Sequence, residues 1–291
     1  MYELINAKGD TYYIESPSKI GLVKVGEAEV CLVDSGNDKD AGKRIARIIE
    51  ENGWTLKAIY TTHSHADHIG GCRYLQERFG CKVYSHGIQR GFAEAPLLMP
   101  GFLYGGDPPK ELRGKFLVAQ SFEVTPLKCE DLPEGWEMTV LSGHTSDMVG
   151  YKTRDGVLFL GDALLGHDVL EKHPVSYVAE IGTYLDTLET VKTLKADLYI
   201  PSHSVMLTEI EDLAEYNISV VHSVGDKLAE LCKEPLIFEE LLKKVFEVYE
   251  IPMNMVQHEL IGSTVRSYLT WLSGTGRVHS EFRDNMLYWT V

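Results

Sequence analysis

No stretch of this sequence approaches the length of a membrane-spanning apolar run, and Met1 to Asp10 lack the basic start and apolar core of an export signal. Both absences predict a soluble, intracellular protein of the cytoplasm. Cysteine is sparse as well. Cys31, Cys72, Cys81, Cys129 and Cys232 are odd in number, scattered and never in a C-x-x-C pair, which excludes a disulfide scaffold and a cysteine-based structural zinc site and predicts reduced, mostly buried thiols. Basic residues are outnumbered: 28 Lys and Arg against 43 Asp and Glu leave a formal charge of −15, which repels polyanions at long range. Non-specific binding to nucleic acid or to an anionic membrane is therefore disfavoured, although a local basic groove remains compatible. Low complexity is absent too. With 44% apolar residues in 291, the chain can bury one large core and carry a small appendage.

Alternating β-branched and turn-forming residues predict strands over Thr11 to Glu15, Ile20 to Val25 and Glu27 to Asp34. An amphipathic helix follows over Asp38 to Glu51, with Ile45, Ile48 and Ile49 at helical spacing and a stop at Asn52-Gly53. Strand Leu56 to Thr62, helix Ile69 to Gly80 and strand Cys81 to Tyr84 form a β-α-β unit. Residues His63 to His68 thus fall in the loop at a strand's carboxyl end, a common place for α/β active sites. Residues Ala95 to Gly114, rich in Pro and Gly, predict a long loop that either covers a pocket or is a surface excursion. Strands return at Trp136 to Leu141, Met148 to Thr153 and Val157 to Leu160, then helix Thr183 to Leu194 and strand Leu198 to Ile200. Thr208 and Glu211 read as a capping box opening a long helix. Beyond Lys233-Glu234-Pro235, two amphipathic segments, Phe238 to Tyr249 and Met255 to Leu272, and a hairpin around Asp284-Asn285 suggest a winged-helix-like unit. The predicted division is residues 1–233 and 234–291.

The segment Thr62-His63-Ser64-His65-Ala66-Asp67-His68 places four metal-ligand side chains within six positions, separated by the small Ser64 and Ala66, so several can converge from one tight loop. Imidazoles and carboxylates suit zinc, iron or manganese. The lack of a thiolate leaves the metal open at this point.

The motif resembles the metal-binding signature of the metallo-β-lactamase superfamily, and the family's other landmarks occur in order: Asp34-Ser35-Gly36, Ser142-Gly143-His144-Thr145, Leu160-Gly161-Asp162 and Pro201-Ser202-His203. The resemblance implies an αββα four-layer sandwich with a binuclear site between its two sheets. It also implies one metal on His63, His65 and His144, a second on Asp67, His68 and His203, and Asp162 bridging both, with Asp34 orienting the metal loop from behind. Two divalent ions are expected, zinc first, with iron or manganese as alternatives. His86, His167, His173, His222, His258 and His279 lack such a pattern; His173, in the loop after Asp162, is the one placed to touch substrate. Two cations about 3.5 to 4 Å apart lower the pKa of a shared water from near 16 to about 7, and the resulting hydroxide is the expected nucleophile, with Asp67 or Asp162 handling the proton.

Substrate is less legible. Asp162, where the best-known β-lactamases carry cysteine, disfavours β-lactam hydrolysis, and His65 disfavours the diiron flavoprotein branch, which generally carries glutamate there. The landmarks resemble the glyoxalase II branch, which cleaves glutathione thioesters, although no basic cluster for glutathione is recognisable. The carboxy-terminal region resembles the winged-helix appendage of a branch that includes endoribonucleases. Yet residues 235–291 hold seven Asp and Glu against five Lys and Arg, which favours packing or dimerisation over nucleic-acid binding. The expected activity is hydrolysis of a small thioester or other carboxylic ester. The alternatives are a metal-dependent phosphodiesterase or ribonuclease, and an iron-dependent dioxygenase or non-catalytic metal binder.

Overall fold

A computed structural model describes residues 2–291. Strands β1 (Glu3–Lys8), β2 (Thr11–Glu15), β3 (Ile20–Lys24) and β4 (Glu29–Val33) run antiparallel in sequence order. Helix α1 (Lys39–Glu51) is opened by Asp38, whose carboxylate accepts the Asp40 and Ala41 amides, and it returns the chain to β5 (Thr55–Tyr60), parallel to β4. Helices α2 (Ala66–Ile69) and α3 (Cys72–Phe79) lead to β6 (Lys82–Ser85), and α4 (Gln89–Glu94) and α5 (Leu98–Tyr104) to β7 (Thr125–Pro126), which closes a seven-stranded sheet. The second sheet, ordered β11-β10-β9-β8, comprises β8 (Glu137–Val140), β9 (Val149–Lys152), β10 (Val157–Leu165) and, after α6 (His167–Lys172) and α7 (Ile181–Thr193), β11 (Leu198–His203). Helix α8 (Glu211–Leu231) follows, then β12 (Leu236–Ile237), α9 (Phe238–Val248), α10 (Met255–Gly274), β13 (His279–Arg283) and β14 (Met286–Thr290).

Alternation along the strands builds the layers. Leu22, Val30 and Leu32 face Ile45, Ile49 and Leu75 of α1 and α3, whereas Val23, Cys31 and Val33 point the other way and meet Val149, Tyr151 and Phe159 of the second sheet. On β10, Leu158 and Leu160 turn outward to α7 and α8. Two sheets thus pack face to face with helices outside each, the αββα sandwich.

The last core layer does not stop at Cys232. Leu241, Val245, Val265, Tyr268 and Leu272 from α9 and α10 join the cluster made by β10, α7 and α8. The three-stranded sheet β12-β14-β13 pairs with neither main sheet, and its hairpin turns on Asp284 and Asn285, both at positive φ as a two-residue turn of this hand requires.

Four local expectations need correction. Residues 95–114 are not a plain loop, because α5 lies inside them: Pro100 stands in its first turn, where no intrahelical N–H is needed, and Gly105 ends it in the left-handed conformation. The helix expected over Ile69 to Gly80 is broken at Gly70-Gly71, where a Cβ would stand 2.3 Å from the Asn37 and Ser35 backbone. Helix α8 starts at Glu211 after Ile210, so Thr208 is not its cap. Strand β10 does not end at Leu160 but runs on to Leu165, so Asp162 projects from within the strand.

Candidate metal centre

The candidate ligands gather at one rim of the sandwich, where β5, β10 and β11 end or bulge. Side-chain atoms of His63, His65, His144 and Asp162 form one group, those of Asp67, His68, Asp162 and His203 a second, each within 4.8 Å, with Asp162 common to both. His65 Nδ1 lies 3.0 Å from both His63 Nε2 and His144 Nε2. A tetrahedral zinc with bonds near 2.0–2.1 Å separates its nitrogens by about 3.3 Å, so this triangle has the right size for a small cation. Across Asp162, His68 Nε2 is 3.2 Å from Oδ1, while His203 Nε2 is 3.2 Å from Asp67 Oδ2 and 3.5 Å from Asp162 Oδ2.

Hydrogen bonds behind the rings fix which nitrogen faces inward. Asp34 accepts the Thr62 amide at 2.7 Å, the Thr62 hydroxyl at 2.8 Å and His68 Nδ1–H at 2.8 Å. Having spent its proton on Asp34, the Thr62 hydroxyl accepts from His63 Nδ1–H at 3.1 Å. One buried carboxylate therefore orients two rings, with Nε2 of each turned toward the candidate metals. Asp34 does so at φ 64°, a left-handed conformation that aspartate tolerates better than most residues, and its three bonds hold it there. His144 Nδ1–H donates to the Tyr177 carbonyl and His203 Nδ1–H to the Pro17 carbonyl, both at 3.0 Å. Gly143, at φ 126°, lets the His144 loop pass so close to Tyr184 that a Cβ would stand 2.4 Å from its backbone.

Two buried atoms of the site are left without hydrogen-bond partners, Asp162 Oδ1 and His65 Nε2. An ionised carboxylate oxygen without a donor is expensive inside a protein and calls for a cation. Together with the converging nitrogens it shows that these residues fit two metal ions.

Charge follows the same division. Burial pushes His63 well below its ordinary pKa, His65 down to about 3, and His144 down, so all three present neutral imidazoles at pH 7, the form a metal ion would need. Burial opposes ionisation of Asp67 and Asp162, but His68 and His203 outweigh it and hold both carboxyls well below the usual range. Reciprocally, burial is overcome at His203, raised to about 10 by Asp162 and Asp67, and at His68, raised well above its ordinary value by Asp162, Asp67 and Asp34, so these carboxylates draw positive charge to this side of the site, which a metal ion would supply in place of the ring protons.

His173 does not join the group. It is exposed at the end of α6, and the loop's contact with the site comes instead from Tyr177, whose ring stands edge-on to His65 with centroids 5.3 Å apart. Gln89 escaped sequence reading as well. Its carbonyl accepts from the Ser64 amide and hydroxyl, and its amide donates to Thr145 Oγ1 and the Ser146 carbonyl, so it braces the His63 loop against the His144 loop. Helix α10 completes the bracing: Ser267 Oγ donates to the Ala179 carbonyl at 2.6 Å and the Val178 amide donates to Thr264 Oγ1 at 3.3 Å, just past the carbonyl that Tyr177 offers to His144. His86, His167, His222, His258 and His279 lie outside both groups among the described residues.

Two such candidate ligand sets on an αββα sandwich are the features of a metallo-hydrolase fold. The chain belongs to the metallo-β-lactamase superfamily, whose sequence model, described as "Metallo-beta-lactamase superfamily", matches residues 14–203. It is similar to the "Probable metallo-hydrolase YqgX" of Bacillus subtilis, 29% identical over 190 residues that cover 61% of this chain and 78% of that protein. It also resembles a "Hydroxyacylglutathione hydrolase" of Thiobacillus denitrificans, 31% identical over 124 residues covering 42% of this chain but only 38% of that enzyme. The crystal structure of a metallo-beta-lactamase family protein from Thermus thermophilus superposes with a TM-score of 0.72, covering 99% of this chain and 98% of that one at 20% identity, a likeness of fold.

Ligand and bystander histidines should separate cleanly. His65→Ala and His144→Ala are each expected to weaken binding of one metal by more than about tenfold, because each removes one of three convergent nitrogens. His279→Ala, at an exposed position on β13, should leave metal binding unchanged. Metal titration of the three purified variants checks this, and full affinity in both site variants would refute the assignment.

Proposed function

We propose that this protein hydrolyses a carboxylic ester-like bond, a thioester or a related ester, with zinc at the two sites and His63, His65, His144, Asp67, His68, His203 and Asp162 as ligands. The observation that carries this reading is the shared, buried Asp162, whose Oδ1 has no hydrogen-bond donor and whose two oxygens face both histidine sets. When bound, a pair of zinc ions supplies a hydroxide nucleophile at neutral pH and Lewis-acid stabilisation of the developing oxyanion. The chain's own part is to hold the ligand nitrogens in place from behind, through Asp34, Thr62 and the Tyr177 and Pro17 carbonyls. Asp67, partly exposed and ionised, stands at the open side, where its carboxylate can accept a hydrogen bond from a water and orient it.

The resemblance to hydroxyacylglutathione hydrolases favours an acyl substrate. Phosphodiester or RNA cleavage is less well supported by the carboxy-terminal unit, which we read as winged-helix-like in outline. Of its five basic residues, Lys243 pairs with Glu247, Arg277 with Asp226 and Arg283 with Glu281, and Arg266 lies over the Phe238 ring. Two hydrogen bonds between α10 and residues 178 and 179 support a bracing role behind His144 instead. Zinc-loaded protein offered thioester, carboxylic ester, lactone, phosphodiester and RNA substrates should turn over the acyl compounds with kcat/KM at least about tenfold above the phosphodiesters. Dominant cleavage of RNA or phosphodiesters would overturn the ester reading.

A further inference from the structure

The geometry points to an apolar acyl-binding groove that starts at the metal centre and runs across α4 and α5, so that the substrate is an ester whose acyl part is an uncharged aliphatic chain. This rests on the ester reading above and specifies it.

A cleft opens beside His65. Ser64, Gln89 and Tyr177 wall its metal end, and Ile88, Phe92 and Phe102 continue it outward. Past Phe102 the same three apolar residues border a second, open depression floored by Leu97, Leu98 and Gly101. The charged groups there, Asp107 and Arg113, are paired with each other at 2.6 Å, so the strip offers no free charge to an ionic substituent.

Four large apolar side chains of this strip stand in water: Ile88 is 53% exposed, Leu97 53%, Leu98 52% and Phe102 60%. Large apolar side chains left in water on one contiguous strip mark a binding surface more often than chance exposure. Continuity with His65 and Tyr177 selects the occupant: a chain attached to a carbonyl held at the metals leaves the cleft in this direction.

The strip is built in advance rather than loose. Phe92 stands edge-on to Phe102 with centroids 6.1 Å apart, and beneath them Met99, Leu103, Leu112 and Leu117 pack on Val256 and Leu260 of α10. A firm apolar floor lets a flexible chain exchange water for protein contact without first ordering the protein. Each methylene removed from water is worth at most about fourfold in binding, and about half of that free energy, or twofold, in a groove open on one side.

The test is the zinc-loaded protein with p-nitrophenyl acetate, butyrate and octanoate. We expect kcat/KM to rise with chain length, by about 50-fold or more from acetate to octanoate at twofold per methylene. Phe102→Gln should cut the octanoate-to-acetate ratio at least about fivefold, while Phe116→Gln, also well exposed but outside the groove, should leave that ratio as it is. Hydrolysis that ignores chain length overturns the groove and leaves ester hydrolysis standing. No hydrolysis at any length by metal-loaded protein overturns both. A flat profile in which Phe102→Gln instead abolishes dimerisation or vesicle binding assigns the strip to that contact and overturns the proposal as well.

Discussion

Replacing Asp162 by asparagine is expected to strip metal from both sites and to lower hydrolysis by about two orders of magnitude or more. The carboxylate is the one group common to both ligand sets, and its charge offsets the repulsion of two neighbouring cations. Asparagine keeps the volume, and β10 needs only a side chain that fits, so the fold should survive. Metal per chain and rate are measured together on the folded variant. Unchanged values would mean that Asp162 serves the strand alone.

Asp34→Asn should have the second largest effect, through a different route. Asp34 accepts from the Thr62 amide, the Thr62 hydroxyl and His68 Nδ1–H, all in a buried setting. An amide can accept on one side only, so its NH2 would face a donor and leave at least one buried group unpaired, at a cost of about 1–3 kcal/mol each. The positive φ is not the reason, since asparagine tolerates it as well as aspartate does. The expected result is a lower melting temperature in the metal-free state and weaker binding at the His68 site, read by thermal unfolding and metal titration. Wild-type values in both would show that the carboxylate is dispensable behind the rings.

The sites were legible in the sequence where chemistry is local. His63, His65, Asp67 and His68 sit almost side by side, so their pattern survives without knowledge of the fold, and Asp34, His144, Asp162 and His203 stand as landmarks in order around them. The supports were not legible, for a physical reason: the partners of His144 and His203 are the backbone carbonyls of Tyr177 and Pro17, which any residue type supplies. Gln89 is likewise an ordinary helix residue until the fold brings Thr145 beside it. Among the elements, strands β2 to β4 and β5 announced themselves by β-branched, apolar runs between turn formers. Edge strand β1, half exposed and paired only with β2, and the two-residue β12 carry no such signal. Helix α5 was masked by Pro100 and Gly101, residues that predict a loop unless the proline is known to stand in a first turn. The tie between residues 1–233 and the carboxy-terminal helices was also hidden, because a shared core looks the same in sequence as two separate ones.

The most direct test is a titration of zinc into chelator-stripped, refolded wild-type protein, with bound metal counted per chain. Two equivalents should bind, with the sites coupled so that Asp162→Asn loses both. Binding of no zinc above a non-metalloprotein control, or a single equivalent that Asp162→Asn leaves in place, would contradict a binuclear centre built around Asp162.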